Sequence, residues 1–220
     1  MPEPFQAFIF DLNGTMINDM DYHIDVWFHM LNDELGATMT REQVKSQMYG
    51  SNIELFIRVF GDGHFTRDQM EQLSLEKERR YQQAYRKHLQ LISGLPGYLD
   101  RSNRRGRQMA IASAAIPFNI DFVLDNLHIR HYFQAVVSAE DVTHSKPHPE
   151  TYLKAASLLR RDPGQCLVFE DAPKGVESAL RAGMSCIVLK TLHAPEEFAN
   201  YPNVLHFIGD YTDPFLERFL

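Results

Sequence analysis

The chain has 220 residues, which is enough for one large domain or for a core with a smaller appendage. Its hydrophobic content of 44% and charged content of 23% are typical of a soluble globular protein. The formal net charge of -7 at pH 7 argues against nucleic acid or an anionic membrane surface as a partner, because both favour a basic face.

Five short apolar segments predict the strands of a parallel sheet. The first, FQAFIF (5–10), leads directly to Asp11. The other four are QMAIAS (108–113), QAVVSAED (134–141), QCLVFED (165–171) and SCIVLK (185–190). Continuous apolar runs of this length are expected for strands that are buried on both faces of a sheet.

The segment 18–91, which follows the first strand and its turn, predicts an all-helical cap domain. It begins with DYHIDVWFHMLNDELG (21–36), typical of one amphipathic helix closed by Gly36. Two Thr-x-x-Gln sequences, TREQ (40–43) and TRDQ (66–69), fit the capping box that starts a helix. No convincing strand pattern occurs in this segment.

The remainder of the chain predicts a return to an α/β core. SGLPGYLD (93–100) is typical of a connection, and the basic run RSNRRGR (101–107) of a solvated helix end and loop. Helical patterns then alternate with the strands: FNIDFVLDNL (118–127), PETYLKAASLLRR (149–161) with Arg160 and Arg161 in its last turn, and APKGVESALRAG (172–183) capped by Gly183. This alternation predicts a doubly wound, Rossmann-like parallel sheet core formed by residues 1–17 and 92–220.

Polar side chains follow three of the predicted strands. Asp11, Ser113 and the pair Glu170-Asp171 stand at strand ends, and Lys146 lies in a loop just before a helix. Crowded carboxylates need a cation, and oxygen ligands select a hard one such as Mg²⁺. A carboxylate can attack phosphorus, while a hydroxyl and an ammonium can hold the phosphoryl oxygens. These strand-end residues and Lys146 together therefore indicate phosphoryl-transfer chemistry.

Each of these residues also has a simpler interpretation. Asn13-Gly14 is a strong hairpin signal, with Asp11 as an edge residue, although the segment after it does not alternate as a hairpin strand should. Ser113 could cap the next helix, Lys146 could be a surface lysine, and Glu170-Asp171 could be a turn.

The four motifs together resemble the haloacid dehalogenase superfamily, and within it the β-phosphoglucomutase-like phosphatases. They are DLNGT, the serine of AIASAA, the lysine of SKPHP, and VFEDAPKGVESALRAG. YHIDVW is also similar to the cap-entry helix of the sugar-phosphate mutases. The resemblance covers nearly the whole chain and implies a Mg²⁺ ion and an aspartyl-phosphate intermediate.

The resemblance also implies roles for individual residues. Asp11 would be the nucleophile and a metal ligand, Asn13 would offer its backbone carbonyl to the metal, and Asp171, with Glu170, would complete the protein ligands. Ser113 and Lys146 would hold the phosphate. The remaining residues expected to bind substrate are Gly14, Thr15, His23, Trp27, Gly50, Asn52 and Ala114, and for Trp27 packing in the cap core is an equal alternative.

Two positions depart from the family pattern. Asn13 stands where the family has an aspartate that serves as general acid and base, and an amide cannot exchange a proton usefully near neutral pH. Loss of such a group costs about 10²–10⁴ in rate. In the cap, Ile53 occupies the place of the arginine with which the mutases grip a distal phosphate, and the equivalence of Arg58 is doubtful.

Three functions are compatible with these residues. The first is a Mg²⁺-dependent hydrolase of a small phosphomonoester, with sugar phosphates as expected substrates and a proton carried by water or His23. The second is a binding or regulatory protein that holds a phosphorylated metabolite, and the third is a phosphomutase. Dehalogenase chemistry fits the lysine motif and the paired acids less well.

The sequence also predicts the cellular location and the partners of the protein. Cys166 and Cys186 form no disulfide framework and are expected to be buried thiols. No apolar stretch approaches the roughly 18 residues of a membrane span, and the N-terminal residues do not resemble a signal peptide. We therefore expect a cytoplasmic protein with a small phosphorylated metabolite as its partner, as a monomer or weak homo-oligomer, without nucleic acid or membrane partners.

Overall fold

The computed structural model describes residues 5–220, and within that range six strands form one parallel sheet. They are β1 (Ala7–Phe10), β2 (Gln108–Ala112), β3 (Ala135–Val137), β4 (Cys166–Glu170), β5 (Ser185–Leu189) and β6 (Val204–Ile208). Their order in the sheet is β3-β2-β1-β4-β5-β6. This is the order of a Rossmann-like doubly wound fold, and the predicted fold class is confirmed.

The helices divide between a helical insertion and the sheet-containing core. The insertion contains α1 (Met20–His29), α2 (Arg41–Gln47), α3 (Asn52–Phe60) and α4 (Arg67–Tyr85). The core contains α5 (Leu95–Arg104), α6 (Pro117–Asn126), α7 (Glu150–Leu159) and α8 (Pro173–Arg181). None of the helices within residues 5–220 is both long and apolar enough to cross a membrane.

The chain forms two compact units, each with its own hydrophobic core. Of the described residues, one unit comprises 5–18 together with Gln90–Leu220, and the other is Asp19–Leu89. In the first, β1 is buried along its whole length, as expected for a central strand of a parallel sheet. In the second, Trp27 and Phe56 pack edge to face with ring centroids 5.3 Å apart.

Aromatic side chains fill one part of the sheet core. Phe10 of β1 stacks on Phe169 of β4 with ring centroids 4.6 Å apart, and Tyr98 of α5 stacks on Phe8. Offset stacked and edge-to-face pairs of this kind stabilise by about 0.5–1.5 kcal/mol each beyond the area they bury. The packing fixes β1 against β4, the two strands whose ends carry Asp11 and Asp171.

Several sequence-based boundaries are confirmed. The capping boxes at Thr40 with Gln43 and at Thr66 with Gln69 are both formed, each with two reciprocal hydrogen bonds. Gly183 has φ +76° just after α8. The basic run 101–107 covers the end of α5 and the following turn, so its interpretation as a helix end and loop is confirmed.

Other expectations were wrong. Strand β6, with the sequence VLHFI, was not predicted, and only its last residue is buried. Helix α5 starts at Leu95, inside the segment interpreted as a connection, and α7 ends at Leu159, so Arg160 lies beyond its last turn with φ 55°. The single helix predicted over 21–36 is α1 followed by a π-helical turn over Met30–Glu34.

Candidate active site

Polar side chains converge at the carboxyl ends of three adjacent strands. Asp11 follows β1, Ser113 follows β2, and Glu170 ends β4 with Asp171 next. Because β1 lies between β2 and β4 and pairs with both in parallel, these ends share one edge of the sheet. The hairpin interpretation of Asn13-Gly14 is therefore wrong. Ligands of open α/β sheets bind at this edge, where the strand order reverses.

The three carboxylates form a compact buried group. Asp11, Glu170 and Asp171 are 8%, 2% and 3% exposed, and one oxygen of each lies within 4.8 Å of the others. Burial raises the pKa of Asp171 well above its ordinary value, and the charges of Glu170 and Asp11 raise it further. Removing three carboxylates from water is costly unless positive charge compensates them.

Lys146 supplies one compensating charge. Its ammonium donates hydrogen bonds of 2.7 Å to Asp11 Oδ1 and of 2.7 Å to Glu170 Oε1. Burial opposes the charged form, but the two carboxylates outweigh it and raise the Lys146 pKa above its ordinary value. The surface-lysine interpretation is therefore wrong, since the side chain is buried between two acids.

Glu170 is held by four donors. Its Oε1 accepts from Lys146 and from the Tyr152 hydroxyl at 2.9 Å, and its Oε2 accepts the backbone N–H groups of Asp171 and Ala172, each at 2.9 Å. This arrangement makes Glu170 an anchor for Lys146 and for the turn after β4. The sequence analysis missed Tyr152, whose signal was its place on the apolar face of α7 with Ala155, Ala156 and Leu159.

Two glycines allow the carboxylates to approach the backbone. A Cβ on Gly14, where φ is +72°, would lie 2.1 Å from Asp171 Oδ2. A Cβ on Gly175 would lie 1.7 Å from Glu170 Oε1. A Cβ cannot lie so close to another atom, so any other residue at either position would displace the carboxylate that packs on the glycine.

The turn after β1 is tied to Asp171 by hydroxyl groups. The Thr15 hydroxyl donates to Asp171 Oδ1 at 3.3 Å, and the Thr191 hydroxyl donates to the Gly14 carbonyl at 2.7 Å. Asn13, half-buried, lies in this turn between Asp11 and Gly14.

At the end of β2, Ser113 is 1% exposed, and its Oγ accepts the N–H of Ala115 at 3.1 Å. Ala114, between them, is half-buried.

The donor set suits a hard divalent cation. Lys146 neutralises at most one of three negative charges in a buried group, and carboxylate oxygens are the ligands that Mg²⁺ prefers. Since four donors already saturate the Glu170 oxygens, Asp11 and Asp171 are the side chains best placed to bind such an ion.

The remaining predicted residues lie in the helical insertion. His23 Nδ1 lies 2.6 Å from Lys77 Nζ, and the His23 ring stacks on Tyr81 with centroids 3.8 Å apart. Asn52 donates to Glu78 Oε1 at 2.7 Å, and Glu78 pairs with Lys77. Burial lowers the pKa of Lys77 although Glu78 opposes the shift. Sequence reasoning missed Lys77 and Glu78, and His23 and Asn52 both connect to them.

Trp27 and Arg58 have local partners in the same insertion, and Gly50 lies in a bend there. Trp27 is 2% exposed in the apolar core, the alternative that the sequence left open. Gly50 has φ 71°, a conformation that favours glycine. The Arg58 guanidinium donates to the Gln47 and Tyr49 carbonyls at 2.6 and 2.7 Å, so it fastens the loop between α2 and α3.

Known proteins of similar sequence and fold share most of this chain's length. The family model for haloacid dehalogenase-like hydrolases matches residues 8–189 of this chain. An uncharacterised protein of Haemophilus influenzae is 32% identical over 86% of this chain and 92% of its own length. Fructose-1-phosphate phosphatase YqaB of Escherichia coli is 29% identical over 87% of this chain and its whole length. A β-phosphoglucomutase structure from Clostridium difficile shares the fold, with a TM-score of 0.84 at 22% identity over 98% of this chain and 97% of that one.

Proposed function

Because the chain belongs to the haloacid dehalogenase-like hydrolase family, we propose that it hydrolyses small phosphomonoesters, with sugar phosphates as the substrate class. The observation that carries the proposal is the contact of Asp11 with Lys146 beside Asp171 at the shared strand edge. The similarity to a fructose-1-phosphate phosphatase supports the substrate class.

In the proposed reaction an Asp11 oxygen attacks phosphorus, and the bond from phosphorus to the substrate oxygen breaks. Water then releases phosphate and restores the Asp11 carboxylate. Lys146 and Ser113 bind the phosphoryl oxygens and offset the charge that develops on them. Asp11, Asp171 and the Asn13 carbonyl would hold Mg²⁺, which when bound would neutralise part of the charge shared by phosphate and carboxylates.

Asn13 limits the rate at which the leaving group can depart in this reaction. The alkoxide that leaves when the phosphorus–oxygen bond breaks needs a proton, and an amide cannot supply it near neutral pH. The attack of Asp11 on phosphorus therefore slows as the leaving group becomes more basic, and esters of good leaving groups phosphorylate Asp11 fastest.

The contacts of Arg58 argue against a bisphosphate mutase. Its guanidinium is committed to two backbone carbonyls and lies 3.9 Å from the centre of the Tyr49 ring. Ile53, at the place where the mutases have their phosphate-binding arginine, is apolar. We therefore place hydrolysis of a monophosphate ahead of phosphoryl transfer between two sugar positions.

Phosphate release from a panel of aryl and sugar monophosphates, with and without Mg²⁺, tests the proposed function. We expect Mg²⁺-dependent release by the wild-type protein and only background release by Asp11→Asn. Binding of sugar phosphates without release from any ester would instead identify a binding protein. Sugar-phosphate isomerisation that requires a bisphosphate activator would identify a mutase.

A further inference from the structure

A second group of metal-ligating side chains lies on the loop that carries Lys146. His144, His148 and Glu150 each offer one ligand atom, and these atoms lie within 4.8 Å of one another. His144 Nδ1 is 3.3 Å and His148 Nδ1 3.8 Å from Glu150 Oε2, and the centroids of the two imidazole rings are 4.7 Å apart. The group is open to solvent, with side-chain exposures of 64%, 48% and 30%.

Hydrogen bonds hold the Glu150 carboxylate and the backbone of the loop that carries the two histidines. The Glu150 carboxylate accepts the N–H groups of Thr143 and His144 at 2.9 and 3.0 Å, which closes the loop on the first turn of α7. The His148 carbonyl accepts from the Ser178 hydroxyl of α8 at 2.7 Å. A ligand that binds here would meet an ordered, anionic site.

The ligand types differ from those of the strand-edge carboxylates. Imidazole nitrogen suits Zn²⁺, Cu²⁺ and Ni²⁺, whereas carboxylate groups alone suit Mg²⁺. Two imidazoles and one carboxylate leave a fourth tetrahedral position open, as in exchangeable zinc sites. We propose that His144, His148 and Glu150 form a surface site for a transition-metal dication, with Zn²⁺ as its most suitable occupant, separate from the carboxylate group of Asp11.

Lys146 connects the proposed zinc site to the carboxylates at the strand edge. Lys146 lies between the two histidines in the chain and contacts Asp11 and Glu170. A metal bound by His144, His148 and Glu150 would therefore restrain the backbone on both sides of Lys146. The inference rests on the loop geometry and does not depend on the proposed hydrolase activity.

Calorimetric titration of Zn²⁺ into the untagged 220-residue chain, with Mg²⁺ in excess, tests the proposal. We expect one equivalent to bind the wild-type protein. His144→Ala with His148→Ala should weaken it by more than about 100-fold, because loss of even an outer-shell partner costs 10–100-fold. A matched control is His64→Ala with His131→Ala, which removes two exposed imidazoles elsewhere and should bind Zn²⁺ as the wild type does.

A second variant distinguishes Zn²⁺ binding at the histidine site from binding at the strand-edge carboxylates. Asp171→Asn should retain the Zn²⁺ equivalent, because Asp171 is not part of the histidine group. The proposal is overturned if the wild type binds no Zn²⁺, if the His144→Ala, His148→Ala protein binds it as well as the control, or if Asp171→Asn abolishes the equivalent.

Discussion

Replacing Asn13 by aspartate is expected to raise turnover of a sugar phosphate by about 10²–10⁴, the usual contribution of a general acid-base group. The carboxyl group is nearly isosteric with the amide, and the turn is already held by the hydrogen bonds from Thr15 to Asp171 and from Thr191 to the Gly14 carbonyl. The Asn13→Asp protein can therefore protonate the leaving alkoxide without a change of fold. Steady-state phosphate release measures the gain.

An aryl phosphate provides the control for this substitution. Its leaving group is a weak base that needs little protonation, so Asn13→Asp should raise kcat/KM, which reports the attack of Asp11 on phosphorus, much less for the aryl phosphate than for the sugar phosphate. Intact-peptide mass analysis must first exclude deamidation of Asn13-Gly14, because a small converted fraction would mimic native activity. An equal rise in kcat/KM for both substrates, or a fall in activity, would show that Asn13 does not replace an acid-base group.

Lys146→Met is expected to lower the free energy of unfolding by about 3–5 kcal/mol, the usual cost of leaving buried charges without their partner. The side chain is 6% exposed and donates to both Asp11 and Glu170. Methionine fills similar space but leaves the carboxylates without this compensating charge. Urea denaturation followed by circular dichroism measures the change.

Lys174→Met is the matched control for this stability change. Lys174 pairs with Glu177 at 3.2 Å on the surface of α8 and is 48% exposed, so its loss should cost at most about 1 kcal/mol. Added Mg²⁺ should stabilise Lys146→Met more than the wild type, since the carboxylate group is then more negative. Equal stability of the two lysine variants would contradict the buried ion-pair account of Lys146.

The strand ends could be predicted from the sequence because their signal is local. A short apolar run that ends in a polar residue places that residue at the edge of a parallel sheet, and Asp11, Ser113 and Asp171 lie there. Lys146 and Asp11 are 135 residues apart in the chain. Their place in one site was predicted from the chemistry of phosphate and carboxylates together with the family resemblance, but the hydrogen bond between them was not.

Other parts of the two units could not be predicted, because tertiary packing decides them. Lys77 and Glu78 stand in the charged run LEKERR, which is typical of a solvated helix face, yet they are 2% and 4% exposed. Their burial follows from the packing of α4 on α1, where Lys77 reaches His23. Strand β6 was also missed; it lies at one end of the strand order, and only Ile208 of its five residues is buried.

The central claim is that phosphoryl groups pass through Asp11, and a rapid-quench experiment with an aryl phosphate tests it most directly. Since Asn13 cannot activate water as a carboxylate would, the phosphorylated protein should accumulate, with a burst of one leaving group per site. Mass spectrometry should find one HPO₃ group on the peptide that contains Asp11, and none in Asp11→Asn. Phosphate release without that modified peptide, or release by Asp11→Asn at the wild-type rate, would contradict the account.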